Sequence, residues 1–509
     1  MGSIQQRWPG PAKGRIVMLV DNPVEGDSRV QKAAYSAAEA GWDVILLGRS
    51  PHNRPQSWMI GHAQVRLIPM SGAIAQRRHE LRRHWVIAPL GYPPTGIAEQ
   101  RRASVRARHA DLAVRRALAP AGLASARVRA ETLAARVTGA WVRLRSWQTS
   151  VGKRARRRLD LPGDRLYTLF WRAAMKERAW RRLEPGLWEY ELAYGPVVDE
   201  LRPDIIHAND FRMLGVGARA VIRGKDDGRR IRLVWDAHEY LPGVEPWQDN
   251  MRWRPGNVAH EREFAPFSDA VITVSESLAE LLQRDHKLPR LPEVVLNAPD
   301  VDSLRPATAE PSPSIRKRCG LGPDVPLLVY SGLAAHKRGI NVMIEALPKL
   351  PDVHVALVVG KINAPYVLGL IERAKALDCA DRLHVFGYVP HDQVVSFLAS
   401  ANVGVIPIRH FPNHEIALIT KFFEYSHARL PIVVSDVRTM AETVRKTGQG
   451  EVFRVDDVED YVRAVRAVLA DEKHFRAAYD TPGLLDEWTW RAQAAKLNAV
   501  YAALLGDRA

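Results

Sequence analysis

The chain has 509 residues, of which 46% are hydrophobic and 26% are charged, which excludes a disordered protein and allows two or three folded domains. It has only two cysteines, Cys319 and Cys379, which excludes a disulfide scaffold and a cysteine-rich zinc site. Its formal charge of +16 is concentrated in residues 71–190, which contain 26 Lys and Arg and 9 Asp and Glu, whereas the other 389 residues are close to neutral.

The first part of the chain alternates short apolar runs with amphipathic stretches. Apolar residues repeat at helical spacing from Val30 to Ala38 and end at Gly41, which predicts a helix with a glycine stop. Continuous apolar runs are typical of parallel strands covered on both faces. Such strands are predicted at Arg15–Val20, Val44–Leu47, Val65–Ile68, Ile205–His207, Ile231–Trp235, Val271–Val274 and Val294–Leu296.

Residues 298–325 interrupt this alternation, because they contain five prolines and have the composition of a linker and domain entry. Strands followed by helical stretches then resume at Leu327–Tyr330, Val353–Val359, Leu383–Phe386, Val403–Pro407 and Ile432–Val434. The pattern predicts an α/β protein with two doubly wound, Rossmann-like domains. Ligands of such sheets bind at the carboxyl ends of the strands, so we expect a shared site in a cleft between the domains.

Residues 71–190 differ from the rest of the chain and predict a mostly helical, basic insertion in the first domain. An apolar stripe at spacings of three and four predicts an amphipathic helix, and it consists of Leu133, Val137, Ala140, Trp141 and Leu144. A basic run follows at residues 153–158. We therefore predict a first domain of residues 1–70 and 191–300, the insertion at 71–190, a second domain at 301–485 and a terminal helical segment at 486–509.

The stretch Ile419–Asp436 carries the most specific chemistry. Lys421 and Glu424 are three residues apart and share one face of a predicted helix that follows a loop. Such a lysine can reach a phosphate, helped by the dipole of the helix N-terminus, and the carboxylate can accept ribose hydroxyls. Glu415 precedes them in a loop that would face a sugar. A solvated Lys–Glu pair on a helix surface is the alternative, and the spacing alone does not exclude it.

A second basic group lies at the entry to the second domain. The stretch Val329–Leu347 reads as strand, small-residue loop and helix, and it places His336, Lys337 and Arg338 just before the helix. Arg338 together with Lys421 would neutralise the charge that builds on a diphosphate leaving group. A basic helix entry without a ligand is the alternative.

The order of these elements resembles the retaining GT-B glycosyltransferases of family GT4. In the second half the resemblance rests on the two stretches above, on Val385–Val389 (VFGYV) and on Val403–Ile408 (VGVIPI). In the first half it rests on Asp27–Val30 (DSRV), Pro203–His207 (PDIIH), Asp236–Glu239 (DAHE), Val274–Leu278 (VSESL) and Asn297 before Pro299. It covers about residues 13–70 and 195–505, and the DSRV and DAHE pieces look like the subgroup that builds bacterial polysaccharides and glycolipids.

The resemblance implies roles for residues of the second domain, which would bind the donor. Arg338 and Lys421 would hold the diphosphate of a nucleotide-diphosphate sugar, beside Gly332 in the first loop of that domain. Glu424 would bind the ribose and Glu415 the hydroxyls of the transferred sugar. Tyr388 and Val389 would lie beside the base through their backbone. The resemblance implies no metal and no cofactor besides the donor, and retention through same-face attack, in which the leaving phosphate accepts the acceptor's proton.

The first domain would face the acceptor, and the terminal helix would return to it. His207 and His238 end strands that face the presumed cleft, so they are sugar or acceptor candidates, with a purely structural role as the alternative. Asp27 and Arg29 lie in the first β–α loop, where they would contact the acceptor or form a capping pair. Glu239 is a further acceptor candidate.

Three interpretations of the basic insertion remain open. Amphipathic helices with arginines on one face would bind an anionic membrane surface, which fits a lipid-linked acceptor. Arginine clusters also bind nucleic acid, but no nucleic-acid module accompanies them, so we expect no nucleic-acid partner. The third interpretation is a structural helical subdomain with a solvated basic face.

The remaining expectations concern location and alternative functions. No segment approaches the roughly 20 apolar residues of a membrane-spanning helix, and Met1–Gly14 lacks a signal-peptide core, so we expect a cytoplasmic protein, bound peripherally at the inner face of the cell membrane. A nucleotide-sugar epimerase on the same fold and a non-catalytic binding protein are the alternatives to a transferase. The donor sugar, its base and the acceptor stay open.

Overall fold

The computed structural model describes residues 12–72, 74, 88–93, 97–118, 123–157, 160, 162–246, 250–301 and 314–506, without the side chains of 123, 124, 153–157, 391 and 392. Residues 302–313 of the predicted linker and the side chains of the basic run at 153–158 lie outside this description. Internal contacts divide the chain into two compact units. The first comprises Met1–Pro69, Ala193–Val244 and Glu261–Ala509, and the second comprises Met70–Leu192 and Glu245–His260.

The first unit contains two sheets, and the larger one has eight strands. They are β1 Arg15–Leu19, β2 Asp43–Arg49, β3 Gln56–Ile60, β4 Ala63–Ile68, β5 Ile205–Asn209, β6 Arg232–Ala237, β7 Ala270–Thr273 and β8 Glu293–Val294. Their order is β3-β4-β2-β1-β5-β6-β7-β8, and all are parallel except β3, which pairs antiparallel with β4. Buried apolar runs form the parallel strands because helices cover both faces of such a sheet.

The smaller sheet has six parallel strands, β9 Leu327–Ser331, β10 His354–Val358, β11 Leu383–Phe386, β12 Val403–Ile406, β13 Ile432–Ser435 and β14 Gly450–Phe453. Their order, β11-β10-β9-β12-β13-β14, reverses between β9 and β12 and is the doubly wound order of nucleotide-binding folds. The predicted fold class is therefore confirmed. The strands β3 and β14 were not predicted, because most of their residues are only partly buried or exposed and form no continuous apolar run.

Helices connect the strands and build the second unit. In chain order they are α1 Ser28–Glu39, α2 Ile97–Leu118, α3 Leu123–Arg157, α4 Pro162–Met175, α5 Trp180–Leu183, α6 Trp188–Leu201, α7 Asp210–Asp226, α8 Trp253–Phe264, α9 Glu276–His286, α10 Ile315–Cys319, α11 Asn341–Ala346, α12 Pro365–Ala376, α13 His391–Leu398, α14 Pro412–Glu415, α15 Thr420–His427, α16 Arg438–Thr447, α17 Val458–Ala470, α18 Glu472–Ala477, α19 Leu484–Glu487 and α20 Trp490–Leu505. None of the described helices is long and apolar enough to cross a membrane.

The terminal helix α20 belongs to the core of the first sheet. Its side chains Trp490, Leu497 and Tyr501 are buried together with residues of α1, β1 and β2. The second sheet is packed between two further apolar clusters, one on each face. The chain thus returns to its first sheet after completing the second, which places polar groups of α20 next to the ends of the first-sheet strands.

The second unit is helical, and the predicted apolar stripe of α3 is not its packing face. The side chains of Leu133, Val137, Trp141 and Leu144 are 42–65% exposed. The buried face of α3 instead carries smaller residues, including Ala135 and Val142, and α3 packs on α2. Periodicity identified the helix correctly, but it could not tell which of two faces packs.

Candidate active site

A cavity of about 610 Å³ lies in the first unit at the carboxyl ends of strands from both sheets. Loops after β1, β6, β7 and β8 form one wall, which we call the first wall, and it includes residues 26–29, His238, Glu239 and Asn297. Loops after β9, β10 and β11 and helix α15 form the second wall, which includes residues 331–333, Arg338, Tyr388, Val389, Lys421 and Glu424. Parallel strands end at the same edge of a sheet, which is why residues distant in sequence meet here.

Helix α15 is held rigidly against the second sheet. Its residues Phe422, Phe423 and Tyr425 are fully buried, and the Tyr425 hydroxyl accepts a hydrogen bond of 2.8 Å from the Ser331 N–H at the end of β9. After the helix, Arg429 adopts the left-handed conformation (φ 54°) in which glycine is usual at a helix end, and its guanidinium pairs with Asp480. Lys421 and Glu424 therefore project from a fixed support.

Lys421 is a buried amine that has no counter-charge in contact among the described residues. Its Nζ lies 3.6 Å from the centre of the Tyr330 ring and has no hydrogen-bond partner in the described part of the chain. Burial holds the pKa of Lys421 well below its usual value, and the positive charge of Arg338 adds to this effect, while Glu424 opposes it. A buried, unsatisfied ammonium is costly, so an anionic ligand at this point would be bound strongly.

Gly332 and Arg338 complete this cationic corner. Gly332 has φ 119°, and a Cβ there would lie 3.2 Å from Lys421 Nζ, so glycine leaves room beside the ammonium. Arg338 also lines the cavity, and its Nε has no hydrogen-bond partner among the described residues. The neighbouring Leu333 is exposed and cannot supply a further charge. Two cations therefore converge on one corner of the second wall.

Glu424 and the aromatic edge occupy the rest of the second wall. Burial raises the pKa of Glu424, although Lys421 and Lys32 lower it. Tyr388 is 70% exposed at the rim of the cavity, whereas Val389 beside it is buried. The carboxylate can accept hydrogen bonds from hydroxyl groups, and the apolar and aromatic rim can cover a flat ring.

The first wall is organised by the carboxylate of Asp236 at the end of β6. Arg29 donates to both of its oxygens, Nε to Oδ2 at 3.0 Å and Nη2 to Oδ1 at 2.9 Å, and its Nη1 donates to the Val295 carbonyl at 2.8 Å. Burial alone would raise the pKa of Asp236, but Arg29 and then His238 hold it well below the usual range. Both side chains of this bidentate ion pair are almost completely buried, so each charge is compensated only by the other.

His238 extends this network to the cavity. Its Nε2 lies 3.2 Å from Asp236 Oδ2, and its Nδ1 lies 3.5 Å from Asp210 Oδ1. Burial lowers the pKa of His238, but Asp236 and then Asp210 raise it to about 9. At neutral pH, therefore, His238 presents a positively charged ring to the cavity.

The predicted acceptor residues Asp27 and Glu239 also line the first wall. The Asp27 carboxylate caps α1 by accepting from the Val30 N–H at 3.3 Å, and it accepts from the Asn22 side chain at 2.7 Å. Asp27 thus caps the helix, although not as one of an Asp–Arg pair, and its side chain still borders the cavity. Arg29 is paired with Asp236 rather than with Asp27.

His207 does not reach the cavity, contrary to its prediction as a sugar or acceptor contact. Its side chain is fully buried, with Nε2 3.4 Å from Asp236 Oδ2 and Nδ1 2.6 Å from the hydroxyl of Tyr501. The strand was identified correctly, but it continues to Asn209, so His207 lies in its middle, where Tyr501 of α20 covers it. His207 therefore lies against Asp236 and not against the cavity.

Glu415 is likewise not among the residues that line the cavity, contrary to its prediction as a sugar contact. One of its carboxylate oxygens lies 2.6 Å from His410 Nδ1, and the other accepts from the Arg438 N–H at 2.9 Å, at the start of α16. Eight residues separate Glu415 from Glu424, and residues 417–420 line the cavity instead.

Sequence reasoning missed a polar connection between the two walls. Asn297 lines the cavity and donates to the Thr420 hydroxyl at 3.2 Å, and Lys32 donates to Asn297 Oδ1 at 3.2 Å and to the Ala298 carbonyl at 2.5 Å. Burial lowers the pKa of Lys32 to about 8. No spacing in the sequence signals these contacts, because they join three distant segments.

The groups that line the cavity are suited to bind an anion on one side and hydroxyl groups on the other. The second wall offers unpaired cations, and the first wall offers the carboxylates of Asp27 and Glu239 and one charged imidazole. Within the described residues, no group of three or more His, Cys, Asp or Glu side chains is arranged to hold a metal ion.

Two family models match the chain side by side. The model described as Glycosyltransferase Family 4 matches residues 143–303, and the model described as Glycosyl transferases group 1 matches residues 312–481. Together they cover well over half of the chain. They include all those residues of the two walls that follow β5 in the sequence.

Curated relatives share about a quarter of the aligned residues. TuaC of Bacillus subtilis, provisionally named a glycosyltransferase of teichuronic acid biosynthesis, is 25% identical over 300 residues, which are 55% of this chain and 70% of TuaC. A D-inositol 3-phosphate glycosyltransferase of Xylanimonas cellulosilytica is 26% identical over 256 residues, 48% of this chain and 60% of the relative. The chain thus spans less than two thirds of the latter protein.

Among solved structures, sucrose-phosphate synthase of Thermosynechococcus elongatus superposes with a TM-score of 0.60 at 15% identity, covering 97% of this chain and all of that protein. At this identity the likeness concerns the fold, which is GT-B. The two adjacent family matches, the doubly wound sheets and this fold agree, and the chain belongs to the GT4-like glycosyltransferases of the GT-B fold.

Proposed function

We propose that the protein transfers a sugar from a nucleotide-diphosphate sugar to a hydroxyl of a glycan or lipid-linked acceptor, with retention of configuration and without a metal. The observation that carries the proposal is the buried, unpaired Nζ of Lys421, beside Gly332 and close to Arg338. A buried cation without a counter-ion is expected where an anionic ligand supplies the charge.

In the proposed reaction, Lys421 and Arg338 bind the donor's diphosphate and stabilise the charge that develops on it as the bond between the sugar carbon and the phosphate oxygen breaks. The acceptor hydroxyl attacks the same face of the sugar, a new carbon–oxygen bond forms, and the hydroxyl proton passes to the departing phosphate. Glu424 accepts hydrogen bonds from the ribose, and the base lies at the rim near Tyr388 and Val389. His238, on the first wall, contacts the transferred sugar or the acceptor.

The names of relatives support a carbohydrate acceptor. TuaC is named for teichuronic acid biosynthesis, and other relatives are named for D-inositol 3-phosphate and for alpha-maltose-1-phosphate. An epimerase would need carboxylates placed for proton transfer, and this alternative is weakened because Glu415 contacts His410 and α16 instead of lining the cavity.

We also propose that the protein docks peripherally on an anionic membrane surface through α3. The exposed side chains Leu133, Val137, Trp141, Leu144 and Trp147 form a continuous apolar stripe, which we call the α3 stripe. Exposed arginines flank it at positions 129, 136 and 143. Apolar side chains that include tryptophan, next to arginine, suit the boundary between lipid headgroups and acyl chains, and each basic residue near such a surface contributes about 1 kcal/mol.

The reaction is tested with the purified full chain and a panel of UDP- and GDP-sugars. Release of the nucleotide and the anomeric configuration of the product are followed by NMR, first with water and simple glycosides as acceptors and then with lipid-linked saccharides. We expect one donor to be turned over, with the same anomeric configuration in product and donor. An inverted product would overturn retention, and the absence of any nucleotide binding would overturn the donor site itself.

A further inference from the structure

Residues 412–420, which we call the 412–420 segment, come after β12 and lead into helix α15 of the second wall. This segment contacts the loops that follow three neighbouring strands of the first sheet, β6, β7 and β8. The contacting pairs are Tyr240 with Asn413, Ser275 with Ile416, and Asn297 with Thr420. The pairs follow one another in the same order along both parts of the chain, so the first sheet holds the segment along most of its length.

The contact of Asn413 with Tyr240 involves both main-chain groups of one residue. The Tyr240 N–H donates to Asn413 Oδ1 at 2.7 Å, and Asn413 Nδ2 donates to the Tyr240 carbonyl at 3.1 Å. An amide side chain carries both an acceptor and a donor, so it can pair with a main chain as a neighbouring strand would. The Tyr240 carbonyl also accepts from the Gly243 N–H at 2.8 Å, within its own turn. Loss of the Asn413 side chain would therefore chiefly affect the Tyr240 N–H.

A close steric fit accompanies these hydrogen bonds. A Cβ at Gly243 would lie 2.6 Å from the Pro412 Cβ and 3.3 Å from Asn413 Nδ2. The first of these distances is well below van der Waals contact, so only glycine leaves the space that Pro412 occupies. The Tyr240 hydroxyl also donates to Asp285 Oδ2 at 2.9 Å, so the side chain of Tyr240 is anchored within the first domain and its main chain is anchored by the second.

The two sides of this contact lead directly to the cavity. Tyr240 follows His238 and Glu239, which line the first wall, and the 412–420 segment ends next to Lys421 on the second wall. Lys421 has a support of its own, since α15 is packed on the second sheet. His238 and Glu239 lie in a loop beyond β6. A displacement of the Tyr240 main chain would therefore move the first wall and leave the cations of the second wall in place.

We propose that Asn413 is a positioning residue of the active site, because it holds the loop that carries His238 and Glu239. This inference rests on the proposed function, in which the first wall faces the acceptor and Lys421 binds the donor. Asn413 itself is not among the residues that line the cavity, so it acts through the residues that it holds. The domain that binds the donor thereby sets the geometry of the wall that faces the acceptor.

Amide hydrogen exchange of the full chain, read by mass spectrometry with fragmentation to single residues, tests the contact itself. We expect the Tyr240 amide to be protected in the wild type and to exchange about tenfold faster in Asn413→Ala. Asn402→Ala is the matched control, because Asn402 Oδ1 also accepts from a main-chain N–H, that of Leu327 at 2.8 Å, at the opposite end of the second sheet. An unprotected Tyr240 amide in the wild type, or equal protection in Asn413→Ala, would overturn the inference.

Kinetics test whether the contact serves the reaction. In Asn413→Ala we expect kcat to fall about tenfold and KM for the acceptor to rise, because small displacements of groups that position substrates are costly. Binding of a nucleoside diphosphate, measured by calorimetry, should change by less than about twofold. The control Asn402→Ala should lower stability without changing kcat. An unchanged kcat in Asn413→Ala, equal losses of kcat in both variants, or lost diphosphate binding in Asn413→Ala would each contradict a positioning role.

A second variant, Gly243→Ala, decides the question even if Asn413→Ala does not fold. Its methyl group would displace Pro412 without removing a polar group, and the backbone of Gly243 is not left-handed, so alanine fits it. We expect faster exchange at Tyr240 and a similar loss of kcat, and the absence of both would count against the inference. If the wild type turns over no donor, the proposed function fails, whereas the exchange measurement still decides whether Asn413 holds the loop.

Discussion

The two walls of the cavity use charge in opposite ways. On the second wall, Lys421 is buried and has no hydrogen-bond partner in the described ranges, and Arg338 adds a second positive charge nearby. On the first wall, Arg29 and His238 are cations too, but both contact the carboxylate of Asp236. The buried positive charges of the first wall are thus compensated within the protein, whereas those of the second wall are compensated only when an anion binds.

This difference teaches which charges support the fold and which support binding. A paired buried charge stabilises the structure as long as its partner is present, and removing one partner leaves the other exposed to the full cost of desolvation. An unpaired buried charge destabilises the ligand-free protein and is compensated only on binding. The two walls should therefore respond to charge removal with opposite changes in stability.

Asp236→Asn should produce the largest effect. It leaves Arg29 and His238 without their counter-charge, so we expect the free energy of unfolding to fall by about 3 kcal/mol and turnover to be lost. Chemical denaturation measures the change. Asp199→Asn is the matched control, because the Asp199–Arg223 pair is about one-third exposed and should cost less than about 1 kcal/mol. Equal losses in both variants would remove the distinction between the pairs.

Lys421→Met should change stability in the opposite direction. Removing the unpaired ammonium is expected to raise Tm of the ligand-free protein, while binding of a nucleoside diphosphate weakens about 100-fold, since a charge-assisted hydrogen bond contributes about 3 kcal/mol. Binding of the nucleoside alone should hardly change. Calorimetry and thermal unfolding measure both quantities, and the exposed Lys446→Met serves as the control. A lowered Tm would mean that Lys421 supports the fold.

Donor binding should also take up a proton, which is a smaller effect on the same wall. Burial keeps the pKa of Lys421 well below its usual value in the free protein, and a bound diphosphate raises it, so the protonated fraction increases on binding. Titration calorimetry in buffers of different ionisation enthalpy measures the protons that are taken up on binding. The uptake should vanish in Lys421→Met, and its persistence there would assign it to another group.

Substitutions on the α3 stripe, outside both walls, should have the smallest effect on the turnover of a soluble donor. Trp141→Ser combined with Trp147→Ser should leave hydrolysis of the donor unchanged but reduce flotation with vesicles that contain phosphatidylglycerol. Leu291→Ser combined with Leu368→Ser, two exposed leucines outside the insertion, is the control. Binding to pure phosphatidylcholine that equals binding to anionic vesicles, or that ignores salt, would contradict the proposed docking.

Much of the second wall was predictable because each of its residues belongs to a local pattern. Lys421 and Glu424 share a helix face by their spacing, and Arg338 lies between strand β9 and helix α11, so local patterns place them at strand ends. Glu415 shows the limit of such reasoning. Its position shortly before Lys421 and Glu424 was predicted, but the direction of its side chain depends on contacts with His410 and with the start of α16.

The first wall and the insertion were harder to predict for the same reason. His207 and His238 were both predicted at strand ends. However, β5 continues to Asn209, which leaves His207 inside the sheet and covered by α20, whereas His238 lies just beyond β6 and lines the cavity. In the insertion, the apolar stripe of α3 predicted a helix, but the exposure of that stripe depends on which face packs on α2. Periodicity specifies a face and does not specify its partner.

The sequence by itself determined the two doubly wound domains, the location of the positive charge in one segment and the cations of the second wall, because alternation, composition and spacing are local properties of the chain. Only the tertiary structure decided which charges are paired. The partners of Asp236 come from α1, β5 and the loop after β6, and the Tyr501 contact to His207 joins residues 294 positions apart. Such contacts form when distant segments pack together, and no local pattern encodes them.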